Sequence, residues 1–283
     1  MIPDQVRTWL QQQGHGEVLR QQAVAGGCIN DGARLETASG ASFFLKINGS
    51  APEDMFTREA EGLAALRQAG GPRFPEPYLW AEEFLLLEDL APARRAGDYW
   101  ETLGRQLAQL HGLTKSKFGF EHDNYLGTTR QPNAWTEDGF TFFAEQRLGF
   151  QAKLARDNDR LTRAEAAQVE RLAASLTELV PHQPAALIHG DLWAGNAISD
   201  SRGAPALIDP AAHYGWPEAE LGMTALFGGF EPRFYAAYGN ERPLDKGWRE
   251  RLPIYNLYHL LNHLNLFGEG YHGQVMEILK DFA

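Results

Sequence analysis

Leu187-Ile-His-Gly-Asp-Leu-Trp-Ala-Gly-Asn196, followed thirteen residues after its asparagine by the second acid of Leu207-Ile-Asp-Pro210, is the stretch on which the fold turns. An apolar pair leads into a histidine and an aspartate, an asparagine stands five residues beyond Asp191, and Asp209 arrives after a short spacer. Aspartate and asparagine in a glycine-containing loop commonly do no more than close turns on their own backbone. In this combination they also suit phosphoryl transfer, which demands placement more than covalent chemistry. One acid must accept the proton of an attacking hydroxyl, and hard oxygen ligands must hold Mg2+ against phosphates. Asp191 can do the first, and Asn196 with Asp209 the second.

The spacing from Asp191 to Asn196 is that of a protein-kinase catalytic loop, and Asp209 follows it as the metal-binding aspartate does there. Residues 197–199 and 206–208 read as short strands around a turn at 200–203, which would bring Asn196 and Asp209 together. His189 reads as a buried brace for the loop.

A chain of 283 residues can bury a substantial core as one large domain or two lobes. A formal charge of −11 argues against nucleic acid as the main partner, since such binding needs a basic surface. Residues 1–13 lack a basic segment followed by an apolar core, and no run is long enough to span a bilayer, so no membrane partner is expected. The single cysteine, Cys28, excludes an internal disulfide framework and fits the cytoplasm.

Upstream, residues 17–25, 33–37 and 42–47 read as an antiparallel meander after a short helix within 1–13. The turn Ala25-Gly-Gly-Cys-Ile-Asn-Asp-Gly32 lets backbone N–H groups approach phosphates, so Gly26, Gly27, Cys28, Ile29 and Asn30 are candidate nucleotide contacts. Lys46 is a lone cation in the apolar strand Phe43-Phe-Leu-Lys-Ile47 and needs an anion. The helix expected at 52–69 supplies one, because Phe56, Glu59, Ala60 and Leu63 fall on one face. Strands at 78–81 and 84–87 complete a five-stranded sheet. Glu88-Asp-Leu90 then reads as a hinge whose backbone meets adenine, placing Glu88 and Leu90 at the cofactor.

The polar, proline-containing link at Ala91 divides an N-terminal nucleotide lobe, 1–91, from a mainly helical C-terminal lobe, 92–283. The expected architecture is α+β and bilobal. Helices are expected at 98–111, 140–156, 162–180, 218–227, 232–238, 248–267 and 271–282, the third opening on the capping box Thr162-Arg-Ala-Glu165. The stretch 117–138 reads as an irregular connector contributing to a substrate mouth. His259 and His263 have zinc-ligand spacing, but no third ligand accompanies them, so satisfied polar groups or substrate contacts are the better reading.

Taken together, the chain resembles the fructosamine kinases (ketosamine-3-kinases), within the wider group of aminoglycoside phosphotransferase and choline kinase-like enzymes. Nearly the whole chain carries the resemblance, in Gly26-Gly-Cys-Ile-Asn30, Phe44-Leu-Lys-Ile-Asn48, His189-Gly-Asp-Leu-Trp-Ala-Gly-Asn196, Ile208-Asp-Pro-Ala211, Leu226-Phe-Gly-Gly-Phe230 and Tyr258-His-Leu-Leu-Asn-His263. The resemblance implies ATP-dependent, Mg2+-assisted phosphorylation of the 3-hydroxyl of free or protein-bound ketosamines, a deglycation chemistry. It implies Asp191 as base, Asn196 and Asp209 as metal ligands, and Lys46 on phosphates paired with Glu59. It places Trp193 against the sugar or amine unless that ring belongs to the core, with His213, Tyr214 and Glu218 lining the pocket. Glu220 stands where related sequences would carry aspartate, and Trp216-Pro217 changes the polar run before it.

Two other readings follow from the same residues. A kinase of another small alcohol or an aminoglycoside keeps the chemistry and changes the acceptor. A non-catalytic nucleotide-binding module conflicts with the presence of Lys46, Asp191, Asn196 and Asp209 together. The chain is expected as a monomer or a Cys28-linked homodimer, with Cys28 either a thiolate favoured by its loop or an inert small residue.

Overall fold

Strand alternation decides what the N-terminal part of the chain presents to the rest. The computed structural model describes residues 1–24 and 29–283. Helix α1 (Asp4–Gln12) leads into strands β1 (Val18–Val24), β2 (Asp31–Thr37) and β3 (Ser42–Ile47), helix α2 (Met55–Leu66), and strands β4 (Pro77–Ala81) and β5 (Phe84–Glu88). The strands form one antiparallel sheet in the order β1-β2-β3-β5-β4. Successive side chains on a strand point to opposite faces. On β3, Phe43 and Leu45 therefore join Val6 and Leu10 of α1 in one core, while Lys46 reaches Glu59 of α2.

The sheet and its two helices match the hydrophobic pattern, but α2 is three residues shorter at each end than the expected 52–69. Asp54 occupies its N-cap position. At the other end Gln68 turns back, its backbone N–H on the Leu66 carbonyl (2.8 Å) and its side chain on the Ala65 carbonyl (2.8 Å), before the glycine pair is reached. These bonds satisfy carbonyls that a longer helix would have used.

The remainder is mostly helical, in agreement with the bilobal α+β expectation. It opens with α3 (Tyr99–Leu110), β6 (Thr114–Lys115), β7 (Asn124–Leu126) and β8 (Thr129–Gln131). A helical rod follows, made of α4 (Gly139–Phe143), a π-helical turn (Ala144–Gly149) and α5 (Phe150–Asp157), and then α6 (Arg163–Ala174) and α7 (Leu176–Leu179). The loop-bearing strands are β9 (Ala185–Ile188), β10 (Ala197–Ser199), β11 (Pro205–Leu207) and β12 (His213–Gly215). Helices α8 (Pro217–Ala225), α9 (Pro232–Glu241), α10 (Trp248–Phe267) and α11 (His272–Phe282) close the chain. Among the described residues, no helix is long and apolar enough to cross a membrane.

Four features depart from the sequence reading. The connector 117–138 contains the β7–β8 hairpin. The expected helix 140–156 is interrupted by the π turn, within which Arg147 lies buried. The helix expected at 162–180 breaks at Ser175, although its Thr162–Glu165 capping box is present. Strands β12, β9 and β6 form a three-stranded sheet whose short members have too few residues to show alternation. Hairpin β10–β11 lies where expected, with β11 ending at Leu207. Helix α10 is buried nearly all round and forms the spine of the core that takes in Phe143, Trp216 and Leu261.

Candidate active site

The loop from β9 to β10 is held from behind before it presents anything forward. His189 is fully buried; its Nε2–H donates to the Ile208 carbonyl (2.8 Å) and its Nδ1 accepts the Asp191 backbone N–H (3.2 Å). Burial keeps its pKa below the ordinary range, so the ring is a neutral brace. Gly190 has φ 84°, and a Cβ there would stand 2.2 Å from the Ala211 carbonyl oxygen, so only glycine fits. Glu220 of α8 accepts the backbone N–H groups of His189 (3.0 Å) and Gly190 (2.7 Å) and pairs with His111 Nε2 (2.9 Å).

Asp191 emerges from this frame. Asn196 Nδ2 donates to the Asp191 carbonyl (2.8 Å) and to its Oδ2 (3.2 Å). Burial, and then the nearby charge of Asp209, push the Asp191 carboxyl up to about 7. A carboxylate with that affinity for protons is suited to general-base work near neutral pH.

Lys46 meets Glu59 at 2.5 Å and also pairs with Asp209, so one buried ammonium joins β3, α2 and the segment after β11. Burial works against its charge, but the two carboxylates outweigh that and hold its pKa above the usual lysine range. Asp209 is one of few non-glycine residues at positive φ (57°), a conformation that aspartate tolerates better than most.

The groups present fit a divalent cation of the hard, oxygen-seeking kind. Asn196 spends its amide nitrogen on Asp191, which leaves its carbonyl oxygen for other partners, and the Asp209 side chain is 42% exposed beside it in the loop system.

Trp193 is half-buried and stands edge-on to Phe227 (6.4 Å between centroids, 88°), which packs in turn on His263 (4.7 Å). A Cβ on Gly195 would lie 2.3 Å from the Trp193 ring, so the indole covers the loop backbone at that glycine.

The remaining expected residues have the following surroundings. Gly26, Gly27 and Cys28 lie outside the described residues. Ile29 and Asn30 are tied to the sheet by Asn48, whose Nδ2 donates to the Ile29 carbonyl (3.2 Å) and Asn30 Oδ1 (3.1 Å). The Glu88 carboxylate pairs with Arg73 and its backbone N–H donates to the Glu76 carbonyl (2.8 Å), and Leu90 is buried.

Of His213, Tyr214 and Glu218, the first stays beside the loop, since β12 starts opposite Ile188 and a Cβ on Gly190 would stand 3.1 Å from His213 Nδ1, whereas Tyr214 and Glu218 follow the chain back along β9 and beyond. His213 is buried, with its Nδ1–H on the Ala211 carbonyl (2.9 Å). Tyr214 packs on Trp135 beneath Lys115. Glu218 accepts from Arg251 (2.6 Å) and from the Tyr255 hydroxyl (3.0 Å). His263 Nδ1–H donates to the His259 carbonyl (2.8 Å), and burial drives the His259 ring down to about 3.

A two-lobed fold with this loop system defines a protein-kinase-like phosphotransferase. The Streptococcus pneumoniae choline kinase LicA shares the fold (TM-score 0.69, 15% identity, 99% of this chain and 99% of that one). A fructosamine kinase sequence model matches residues 1–283, and the chain belongs to that family. It is 40% identical to a ketoamine kinase, named as probable, of Synechocystis sp. over 93% of this chain and 90% of that protein. It is 39% identical to the chloroplastic protein-ribulosamine 3-kinase of Arabidopsis thaliana, over 100% of this chain and 88% of the plant protein. A solved Thermobifida fusca structure, provisionally named fructosamine-3-kinase, superposes with a TM-score of 0.89 at 32% identity, covering 99% and 98% of the two chains.

Proposed function

We propose that this enzyme transfers the terminal phosphoryl group of ATP to the 3-hydroxyl of a ketosamine. The observation that carries the reading is one cluster in which Lys46 pairs with Glu59 and Asp209 while Asn196 bonds to Asp191. Its relatives named for ketoamines and ribulosamines support the acceptor class.

In this reading Asp191 accepts the proton of the sugar hydroxyl as the oxygen–phosphorus bond forms and the bond to the departing ADP oxygen breaks. Lys46 meets the phosphates, oriented by Glu59, and the turn at residues 26–30 covers them with backbone N–H groups. Asn196 and Asp209 would hold Mg2+, which supplies charge neutralisation on the phosphates when bound. Adenine would meet the backbone carbonyl of Glu88 and the backbone of Leu90, and the sugar would lie against the exposed part of Trp193. The lobes divide near Ala91, a residue at φ 45° just after the sheet.

Incubation with ATP, Mg2+ and a panel of ribulosamines, fructosamines and erythrulosamines should give sugar 3-phosphates, read by phosphorus NMR. Turnover of an aminoglycoside or simple alcohol with no ketosamine turnover would reassign the acceptor.

A further inference from the structure

Strand β7 does two things at once. Its inward residue Asn124 is buried and donates from Nδ2 to the Ala212 carbonyl (2.8 Å), and Gln131 across the hairpin donates to the Ala211 carbonyl (3.0 Å) and Asn124 Oδ1 (2.7 Å). These bonds grip the segment that begins at Asp209. The next residue, Tyr125, points the other way by strand alternation, and its hydroxyl donates to Asp54 Oδ1 at the start of α2 (2.6 Å).

Asp54 Oδ2 in turn accepts from Arg58 Nε (2.8 Å), and Arg58 also bonds Glu61 (2.8 Å), which meets His122 Nδ1 beside the hairpin (3.2 Å). The outer face of α2 is thus tied to the hairpin and the residue leading into it at two points, Asp54 and Glu61, on either side of Glu59 in the chain. The inner face closes on the same segment, since a Cβ on Gly62 would stand 3.3 Å from Ala212 Cβ. At the hairpin tip, a Cβ on Gly127 would lie 2.8 Å from Ile29 Cδ1, so the tip also borders the nucleotide turn.

We propose that Tyr125 is a positioning residue of the kinase: by fastening the start of α2 to β7, it fixes the separation between Glu59 and Asp209 at which Lys46 bridges both. The inference rests on the proposed function through the role given to Lys46. Without the Tyr125–Asp54 bond α2 drifts outward part of the time, and ATP must select the assembled state from a smaller population. An apparent affinity falls by the fraction of competent molecules, whereas turnover at saturating ATP is preserved.

Tyr125→Phe in the full-length enzyme should therefore raise KM for ATP about three- to tenfold, with kcat and the ketosamine KM within about twofold. Amide exchange should accelerate across α2 and not in α10. Loss of general stability would lower the melting temperature without this split. Asp54→Ala is the second variant, and it serves alone if Tyr125→Phe does not fold. The double variant should be no worse than Asp54→Ala, because both changes remove the same bond.

An unchanged ATP KM in the folded variants, or losses that simply add, would overturn the proposal. If the parent enzyme transfers phosphate to no ketosamine, the functional reading falls by itself. Exchange on α2 then decides the clamp, and equal protection with and without the Tyr125 hydroxyl would overturn it.

Discussion

Asp191 sits where a base must be, yet its position depends on neighbours that do no chemistry. Its backbone is set by His189 and its carboxylate by Asn196. Asp191→Ala should reduce kcat by about 10²–10⁴-fold, the usual contribution of a positioned base, while calorimetry finds ATP binding little changed. A variant that keeps its kcat would remove Asp191 from the mechanism. Glu59→Gln leaves Lys46 with Asp209 as its only carboxylate, so steady-state kinetics should show a higher KM for ATP. The Lys46–Glu59 pair was legible because a cation in an apolar strand demands an anion, and helical spacing offered one acid on the right face. That Asp209 also meets Lys46 was not, since nothing in the spacing relates residues so distant in sequence.

Helix α8 serves the site with Glu220, whose two oxygens bridge two loop amides and a buried histidine. Related sequences were expected to carry aspartate here, and the geometry says what the longer side chain does. Glu220→Asp withdraws the carboxylate by about 1.5 Å, too far to serve all three partners. The expected outcome is a loss of about 2 kcal/mol in unfolding free energy and a lower kcat, with KM for ATP unchanged; calorimetric melting and kinetics would check both. Sequence placed α8 through its helical stretch, but a glutamate between apolar neighbours does not announce which backbone it will meet. The same holds for the polar set Asn124, Gln131, Asn133 and Arg147, all buried and bonded to one another or to backbone. Their partners are scattered, and the short strands and π turn that unite them carry no period. Closeness along the chain is a weak guide for a related reason: after Asp209, His213 stays against Gly190, while β12 then runs back along β9 and takes Tyr214 and Glu218 with it.

At the scale of the whole molecule, the hairpin clamp has a counterpart behind the cleft, where Arg73 pairs with Glu88 at the end of the sheet and with Asp200 in the β10–β11 turn (2.8 Å). Asp200 is nearly inaccessible, and Glu220 lies fully inside the helical part. For both, burial favours the protonated acid. For Asp200 the backbone N–H groups of Arg202 and Ala204, with Arg73 and Arg202, outweigh it; for Glu220 the His111 contact and the His189 backbone N–H do so. Both pKa values therefore lie below their ordinary ones. A group depressed on folding contributes stability that is fully present above its unfolded pKa and is lost as pH falls through the folded value. The melting temperature should hold steady near neutrality and drop below about pH 4.5, where carboxylates begin to take up protons even in the unfolded chain. The groups facing Glu220 are His111, the His189 and Gly190 backbone and, across the loop, the carboxylate of Asp191, and those facing Asp200 are Arg73 and Arg202; the pKa of Glu220 stays depressed despite Asp191, so the sign holds for both. Glu220→Gln and Asp200→Asn should each melt lower at neutral pH and lose less on acidification than the parent. Melting curves collected across that range would show it, and variants that track the parent's acid slope would place the titrating groups elsewhere in the molecule.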